Sequence, residues 1–362
     1  MIFGKKRLKN VPEFLLNTTK LEIVQEFTYL GVKITSTGNF VNHLTQSREK
    51  ALHALFKTTR LVDFKNLPPK QANRLFDSLI APILTYSCEV WGVYQKHDFE
   101  KWDKTPTEKA HLRFCKYFLG VNKKASNIAC RAELGRFPLK LFIDKLIMKY
   151  FNHLLTLPDS TITKQAFLMS KSLCDRKKSS YHSHLQEMLS LYKIKHDLNM
   201  PFSALETSCI KMKNEYFYKW KQQISNSKKL DIYKQIKLDY EEENYLHLVR
   251  NFDERKNLTK FRISNHKLAI ETGRYGKQNT QRNQRLCVFC DRNEIESEEH
   301  MFKHCPLYQD LRLTLYEKTG PGVENNDMLF FISSRDKNIL FYASKFLSNC
   351  FKLRNQISQD IT

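Results

Sequence analysis

Glycine and proline are scarce in this chain, ten of each among 362 residues, where average usage would supply roughly 7% and 5%. Few backbone punctuators mean few tight turns, which argues against an all-β sandwich or barrel and for a mainly α fold. Long apolar runs are missing as well. Stretches such as Met328-Leu329-Phe330-Phe331-Ile332 fall far short of the roughly 20 residues of a membrane span. The basic start Met1-Ile2-Phe3-Gly4-Lys5-Lys6-Arg7 is followed by no apolar core of a secretory signal,. Also absent are a Gly-x-x-x-x-Gly-Lys phosphate loop, a His-Glu-x-x-His helix and a Gly-x-Ser-x-Gly elbow, and no two aspartates are adjacent. The nine cysteines are an odd number. In a chain read as not secreted, they point to reduced thiols in cytoplasm or nucleus and to metal rather than disulfide for any cluster.

What the chain does have is positive charge, +22 at neutral pH, and 12% aromatic residues. The aromatics are too many for a disordered polymer. The charge argues for a polyanionic partner, RNA and/or DNA among them, or for an anionic surface, and bears on association rather than on fold.

Two short strands open the reading. Ile23 to Ile34 is β-branched and aromatic, broken once by Gly31, and Ser36-Thr37-Gly38-Asn39 closes it with a turn,. The period then becomes helical. Leu44, Arg48, Ala51, Leu55 and Val62 define one stripe, and Ala72, Leu75, Phe76, Leu79, Ile80 and Ile83 define a second,. Pro82 is expected to kink that second helix or to end it just beforehand. Thr105-Pro106-Thr107-Glu108 carries an N-cap, a first-turn proline and a capping-box glutamate, and Gly120 suits the helix end,. Ser126 to Gly135 and Pro138 to Leu157 read as two more helices of the same bundle. Residues 160–250 read as helical and basic, with Glu241-Glu242-Glu243 a solvated helix face rather than a metal cluster. Tyr216, Phe217, Tyr218 and Trp220, set among lysines, fit either a base-stacking surface or an amphipathic helix with its aromatics inward.

The strongest chemical signal is Cys287-Val288-Phe289-Cys290 followed by His300 and Cys305. A Cys-x2-Cys knuckle brings two thiolates to one ion, and a third Cys with one His completes a closed tetrahedral Zn2+ set with no position left for substrate water. His304 competes with His300 for that role. The other reading, four unrelated residues in a reduced protein, stays open, while Cys174, His182 and His184 lack a second knuckle. Between Cys290 and His300 lie Asp291, Glu294, Glu296, Glu298 and Glu299. That acidic loop is expected to repel phosphates, so nucleic-acid contacts are assigned to the basic flank Arg274, Lys277, Arg282 and Arg285.

Several segments carry a family likeness: Glu26-Phe27-Thr28-Tyr29-Leu30-Gly31-Val32-Lys33-Ile34, Ser87-Cys88-Glu89-Val90-Trp91-Gly92, Phe118-Leu119-Gly120-Val121, Arg131 to Leu139, and Phe261 to Tyr275. With the Cys/His cluster behind them, they make the chain resemble the C-terminal part of non-LTR (LINE-type) retrotransposon reverse transcriptases, over residues 1–150 and 255–310. The resemblance implies palm-end strands with a primer-grip-like hairpin over 1–38, with Phe27, Tyr29, Leu30 and Gly31 in that hairpin. It further implies a thumb-like helical bundle over 39–158, a basic helical connector over 159–284, a CCHC zinc knuckle over 285–312 and a helical tail over 313–362. The parent family is an RNA-directed DNA polymerase whose two metal-binding aspartates are adjacent. Lacking that motif, this chain is expected to grip nucleic acid without extending it, with Mg2+ needed only in a full-length parent. The same likeness places Met1 inside the palm, so upstream palm and endonuclease domains are expected partners. The competing expectation is a zinc-braced protein-interaction module with no nucleic-acid partner.

Overall fold

The computed structural model describes residues 1–2, 13–95, 98–202, 205–275, 279–321 and 327–360. The described chain is mainly helical, with two short antiparallel hairpins near its start. It divides into two units, each assembled from separated stretches: Met1–Lys57, Phe76–His111 and Pro138–Tyr216 in the first, and Thr58–Leu75, Leu112–Phe137 and Phe217–Thr362 in the second.

In the first unit, Glu26–Tyr29 pairs with Val32–Thr35 across Leu30 and Gly31. Both turn residues have positive φ, 46° and 81°. This is the two-residue turn whose twist matches that of the strands, and glycine adopts it without strain. The Val41–Leu61 helix buries Leu44, Ala51 and Leu55, the stripe expected from the sequence. The next stripe is narrower than expected, since Leu79 lies on the surface while Phe76 and Ile80 are buried. Pro82 neither kinks nor stops that helix in the simple way anticipated. A π turn over Phe76–Ile80 precedes it, and helix resumes at Ala81–Thr85. Proline has no N–H for an i−4 carbonyl and would crowd it, and a widened turn just before the ring relieves both problems. Gly92 is a required glycine, because a Cβ there would meet Ile143 Cγ2 at 2.8 Å; its absence lets Gly92–Tyr94 pack on Leu139–Thr156.

Thr105 caps Pro106–Leu119 as expected, accepting from Glu108 N at 3.3 Å. The Glu108 side chain has a larger task than capping. It is fully buried and accepts from Trp102 Nε1 at 2.8 Å and from Leu139 N at 3.0 Å, with His111 Nδ1 at 3.0 Å. Nearby in the same unit, Lys140 pairs with Asp144 at 2.8 Å, and Tyr192 Oη donates to that carboxylate at 2.5 Å.

The second unit is built on the Lys337–Asp360 helix, against which Phe252–Arg262, Gln309–Thr319 and Met328–Ser333 pack. Gly120 closes Pro106–Leu119 at φ 67°, with Val121 N returning to Lys116 O at 3.1 Å. Glu241-Glu242-Glu243 is not a helix face. The segment is extended, Glu242 bridges Leu134, and Glu243 N donates to Glu133 O at 3.0 Å. Gly135 permits this, since a Cβ there would lie 2.7 Å from Glu242 N.

At the centre of this unit lies a buried ionic cluster. Arg262 donates to both oxygens of Glu133 at 3.1 Å and to Ile332 O at 2.7 Å, and it meets Glu243 at 2.7 Å. Tyr245 Oη adds a bond of 2.5 Å to Glu133. Burial works against the Arg262 charge, but the Glu133 and Glu243 carboxylates outweigh it and hold the guanidinium protonated. Removing one partner strands the other charge in a low-dielectric interior, typically at a cost of about 3–5 kcal/mol. Arg262→Met should therefore lower the unfolding midpoint sharply in a thermal melt; an unchanged midpoint would show that the cluster contributes little.

Candidate metal centre

The two knuckle cysteines begin a short reversal of the chain. Leu286 and Ile295 form an isolated antiparallel bridge, Cys287 N donates to Glu294 O at 2.8 Å, and Asn293 takes a left-handed conformation, φ 54°. Asparagine is among the few residues that adopt it readily.

The other two ligands depend on an unusual helix. In an α-helix, at about 100° per residue, positions five apart face directions about 140° apart, so His300 and Cys305 would diverge. The structure instead winds His300–His304 as a π turn. Cys305 N donates to His300 O at 2.8 Å, a bond that spans five residues,. The wider turn brings both side chains to one side. Met301 and Phe302 are fully buried, and Phe302 lies 5.0 Å from Phe346 and 5.4 Å from Phe331. The turn is thus anchored in the core of its unit rather than carried on a free finger.

The result is a four-residue cluster. One ligand atom from each of Cys287, Cys290, His300 and Cys305 lies within 4.8 Å of all the others. Cys287 Sγ and Cys305 Sγ are 4.0 Å apart, and Cys290 Sγ and His300 Nε2 are 3.4 Å apart. Bonds of about 2.3 Å to sulfur and 2.0 Å to nitrogen give tetrahedral edges of about 3.8 Å and 3.5 Å, so the donors fit one metal ion. His300 Nδ1 faces Glu294 at 2.8 Å, which leaves Nε2 for the ion. A carboxylate in this second position orients a ligand imidazole and raises its basicity. That hydrogen bond also holds the Glu294 carboxyl below its ordinary range. The Cys287–Cys305 contact, with burial, pushes the Cys287 thiol up, and the same contact draws the Cys305 thiol down. His304, the competing histidine, is exposed and lies outside the cluster. Among the described residues this is the one group of its kind. Cys174 donates to Gln186 and His184 pairs with Ser179 and Glu187, while His182 is buried beside Phe167.

The acidic loop is only partly a surface feature: Glu296 and Glu298 are buried, Glu294 is half-buried, and Glu299 is exposed. Glu296 takes two hydrogen bonds from Arg354, at 2.7 and 3.0 Å, and one from Ala269 N at 2.6 Å. Glu298 binds His266 and Ser264, each at 2.9 Å; burial raises its pKa, but the His266 charge and these bonds prevail and bring it to about 2. Glu299 pairs with Lys303 at 3.4 Å. Asp291 is exposed. The Ser264 to Ile270 stretch is therefore a cradle for the loop, to which Ile270 N donating to Glu296 O at 3.1 Å adds a further tie.

The basic flank is heterogeneous. Arg285 donates to Thr280 O at 3.0 and 2.8 Å and to Ile270 O at 2.8 Å, which commits its guanidinium to the backbone. Arg274 donates to Lys228 O at 2.9 Å and meets Glu271 at 3.0 Å. Arg282 is mostly exposed and only 3.5 Å from Asp231, and Lys277 lies outside the described residues. Of the four aromatics on the Leu205–Ser225 helix, Tyr216 and Trp220 are buried, Phe217 is half-buried and stacks on Trp220, and Tyr218 is exposed. In the first unit, Phe27, Tyr29 and Leu30 are exposed, at 54, 60 and 74%. Tyr86 Oη donates to Leu30 O at 2.9 Å, and its ring sits 3.3 Å from the position of a Cβ on Gly31, so Tyr86 backs the hairpin tip.

Part of this chain is similar to a transposon-derived protein. Over 75 residues it is 33% identical to an uncharacterised transposon-derived protein of Caenorhabditis elegans, a match covering 21% of this chain and 26% of that protein. The chain thus spans about a quarter of that relative's length. No family model matches the chain, and no solved structure matches it. No described helix is long and apolar enough to cross a membrane.

Arg354 supports the cluster from outside it, holding Glu296 and lying 4.9 Å over Phe289 between the two knuckle cysteines. Second-sphere substitutions typically weaken metal affinity by about 10- to 100-fold. Glu294→Ala, which removes the carboxylate facing His300 Nδ1, should do so in competition with a chromophoric chelator, and Arg354→Gln, one contact further out, should weaken affinity less. Chelation of the metal-loaded protein should expose residues 286–299 to protease before the buried π turn. A chelator that alters neither protease sensitivity nor helicity would exclude a metal from this cluster.

Proposed function

We propose that this chain is a nucleic-acid-binding part of a non-LTR retrotransposon reverse transcriptase, braced by a structural zinc ion and without polymerisation chemistry of its own. Three thiolates and one imidazole at tetrahedral spacing favour zinc over the harder divalent ions. With all four positions taken by protein donors, such an ion would fold the loop rather than activate water. Apparent binding energies of roughly 10–16 kcal/mol in small zinc units indicate how strongly it would order residues 286–305.

The observation that carries the reading is the Leu30–Gly31 hairpin, whose tip presents Phe27, Tyr29 and Leu30 to solvent on a backbone backed by Tyr86. Three large side chains exposed together on one hairpin fit a surface that packs against a partner. A polymerase palm and primer terminus, supplied in cis or trans, is the partner that the family likeness suggests. The similarity to a transposon-derived protein and the +22 charge support the same direction. The alternative, a protein-interaction module, draws on the acidic loop as an exposed feature, and two of that loop's carboxylates, Glu296 and Glu298, are buried on internal partners.

In a mobility-shift titration with RNA and DNA, neutralising some six to ten phosphates should make affinity fall by about 10³–10⁵ between 50 and 200 mM salt. Binding that is absent at low salt, or flat across it, would refute the proposal. Primer extension by the purified chain should fail, because two-metal nucleotidyl transfer needs closely placed carboxylates on both ions; measurable extension would contradict the claim about its chemistry.

A further inference from the structure

The outer face of the Phe252–Arg262 helix carries an excess of one charge. Asp253, Lys256 and Lys260 stand at i, i+3 and i+7, on one side of that helix,, and Lys267 follows just beyond its end, exposed. Two neighbouring segments of the same unit add to the row. The Lys65 ammonium lies 5.2 Å from the Phe252 ring centroid, and that of Lys256 lies 5.6 Å from the same ring. Arg255 donates to Lys65 O and fixes this approach. Asn257 Nδ2 donates to Ser348 Oγ at 3.2 Å, which sets the Lys337–Asp360 helix alongside, with Lys352 one turn beyond Ser348.

Two side chains register how these groups converge. A hydrogen bond from Lys256, with the charges of Lys256, Lys352 and Lys65, holds the Asp253 carboxyl below its ordinary range. Lys260 meets the reverse: burial and then the Lys256 and Lys267 charges push its ammonium down, against the pull of Asp253. Asp253 is ion-paired with Lys256, while Lys260, Lys267 and Lys352 pair with no described carboxylate. Glu298, brought near Lys267 by His266, is spent on His266 and Ser264. Even with Asp63 and Glu254, the acids adjoining in sequence, counted in full, five lysines face three carboxylates. Folding gives no reason for the row, since like charges four apart on a helix oppose it.

What the face lacks narrows its partner. No large apolar side chain between Phe252 and Leu268, or between Lys345 and Gln356, is exposed. An acidic protein would find none of the aromatic or aliphatic anchors that carry protein interfaces, and an unpaired base would find no ring to stack on. A duplex asks for neither. Its phosphates face outward, and ammonium groups hold them without reading sequence.

We propose that Lys65, Lys256, Lys260, Lys267 and Lys352 form a docking face for the sugar–phosphate backbone of a duplex, bound without regard to sequence. The proposal rests on the reading of the chain as nucleic-acid-binding and adds to it a location and a preference for paired strands.

The test uses the zinc-loaded full chain, a fluorescein-labelled blunt DNA duplex and an oligo-dT strand of equal length, titrated across salt. Lys260→Gln, Lys267→Gln and Lys352→Gln together should lower the slope of log affinity against log salt by about 0.9 for each lost phosphate contact. The same three positions changed to Arg, which keeps the charge, should retain the parent slope. Asp253→Asn should tighten duplex binding. If the parent binds duplex with the expected salt dependence and the glutamine triple matches its slope, the face is wrong and the broader function stands. If oligo-dT binds more tightly than the duplex at equal salt, the preference for paired strands is refuted. If the parent ignores both nucleic acids but binds poly-glutamate, and the glutamine triple does not, the face takes an acidic protein and both readings fall.

Discussion

A carboxylate taken out of water must find a cation or several N–H donors, and this constraint organises both units. Glu108 finds His111 and two N–H groups, Asp144 finds Lys140, Glu133 finds Arg262, and Glu296 finds Arg354. Glu133–Arg262 and Glu296–Arg354 tie segments 129 and 58 residues apart, whereas Glu108–His111 and Asp144–Lys140 lie within one helix each and Glu108 reaches across to Leu139 N. The surplus of positive charge is set by composition, since each internal ion pair spends a base with its acid. With 38 acidic residues and many of them consumed internally, the basic residues that remain dominate the field a polyanion meets.

The metal cluster was legible from spacing, because Cys-x2-Cys constrains the backbone whatever surrounds it. The choice of His300 over His304 also stands, but the winding that places it was not legible, and the reason is geometric. An α-helical reading puts neither histidine cleanly beside Cys305, and only a π turn does so, an irregular winding that side-chain periodicity does not announce. The Leu30–Gly31 turn and the Gly120 helix end were legible because glycine in those settings has one cheap explanation. Pro82 was half legible: the disruption was expected, but its form as an upstream π turn depends on Phe76 and Ile80 being pulled into the core.

Glutamates misled more than any other residue type. Glu108 reads as a capping residue and is the centre of a buried network. Glu241 to Glu243 read as a solvated helix and form an extended segment docked on Leu134. Of the acids between Cys290 and His300, which read as a repulsive surface, Glu296 and Glu298 turn inward. Local sequence reports that a residue is charged, not which distant cation faces it; Arg354 lies some fifty residues beyond the loop it holds. The same blindness applies to arginine, since Arg285 resembles its neighbours in sequence yet donates only to backbone carbonyls.

This inward folding changes how the two readings of the chain compare. An exposed acidic loop would have set a negative patch beside the basic flank and favoured a protein partner. With Glu296 and Glu298 buried on Arg354, His266 and Ser264, the carboxylates left at the surface of the loop are those of Asp291, Glu294 and Glu299. A metal ion at Cys287 would then help nucleic-acid binding without touching it. By fixing the loop, it would keep Glu296 and Glu298 on their internal partners and away from any phosphate.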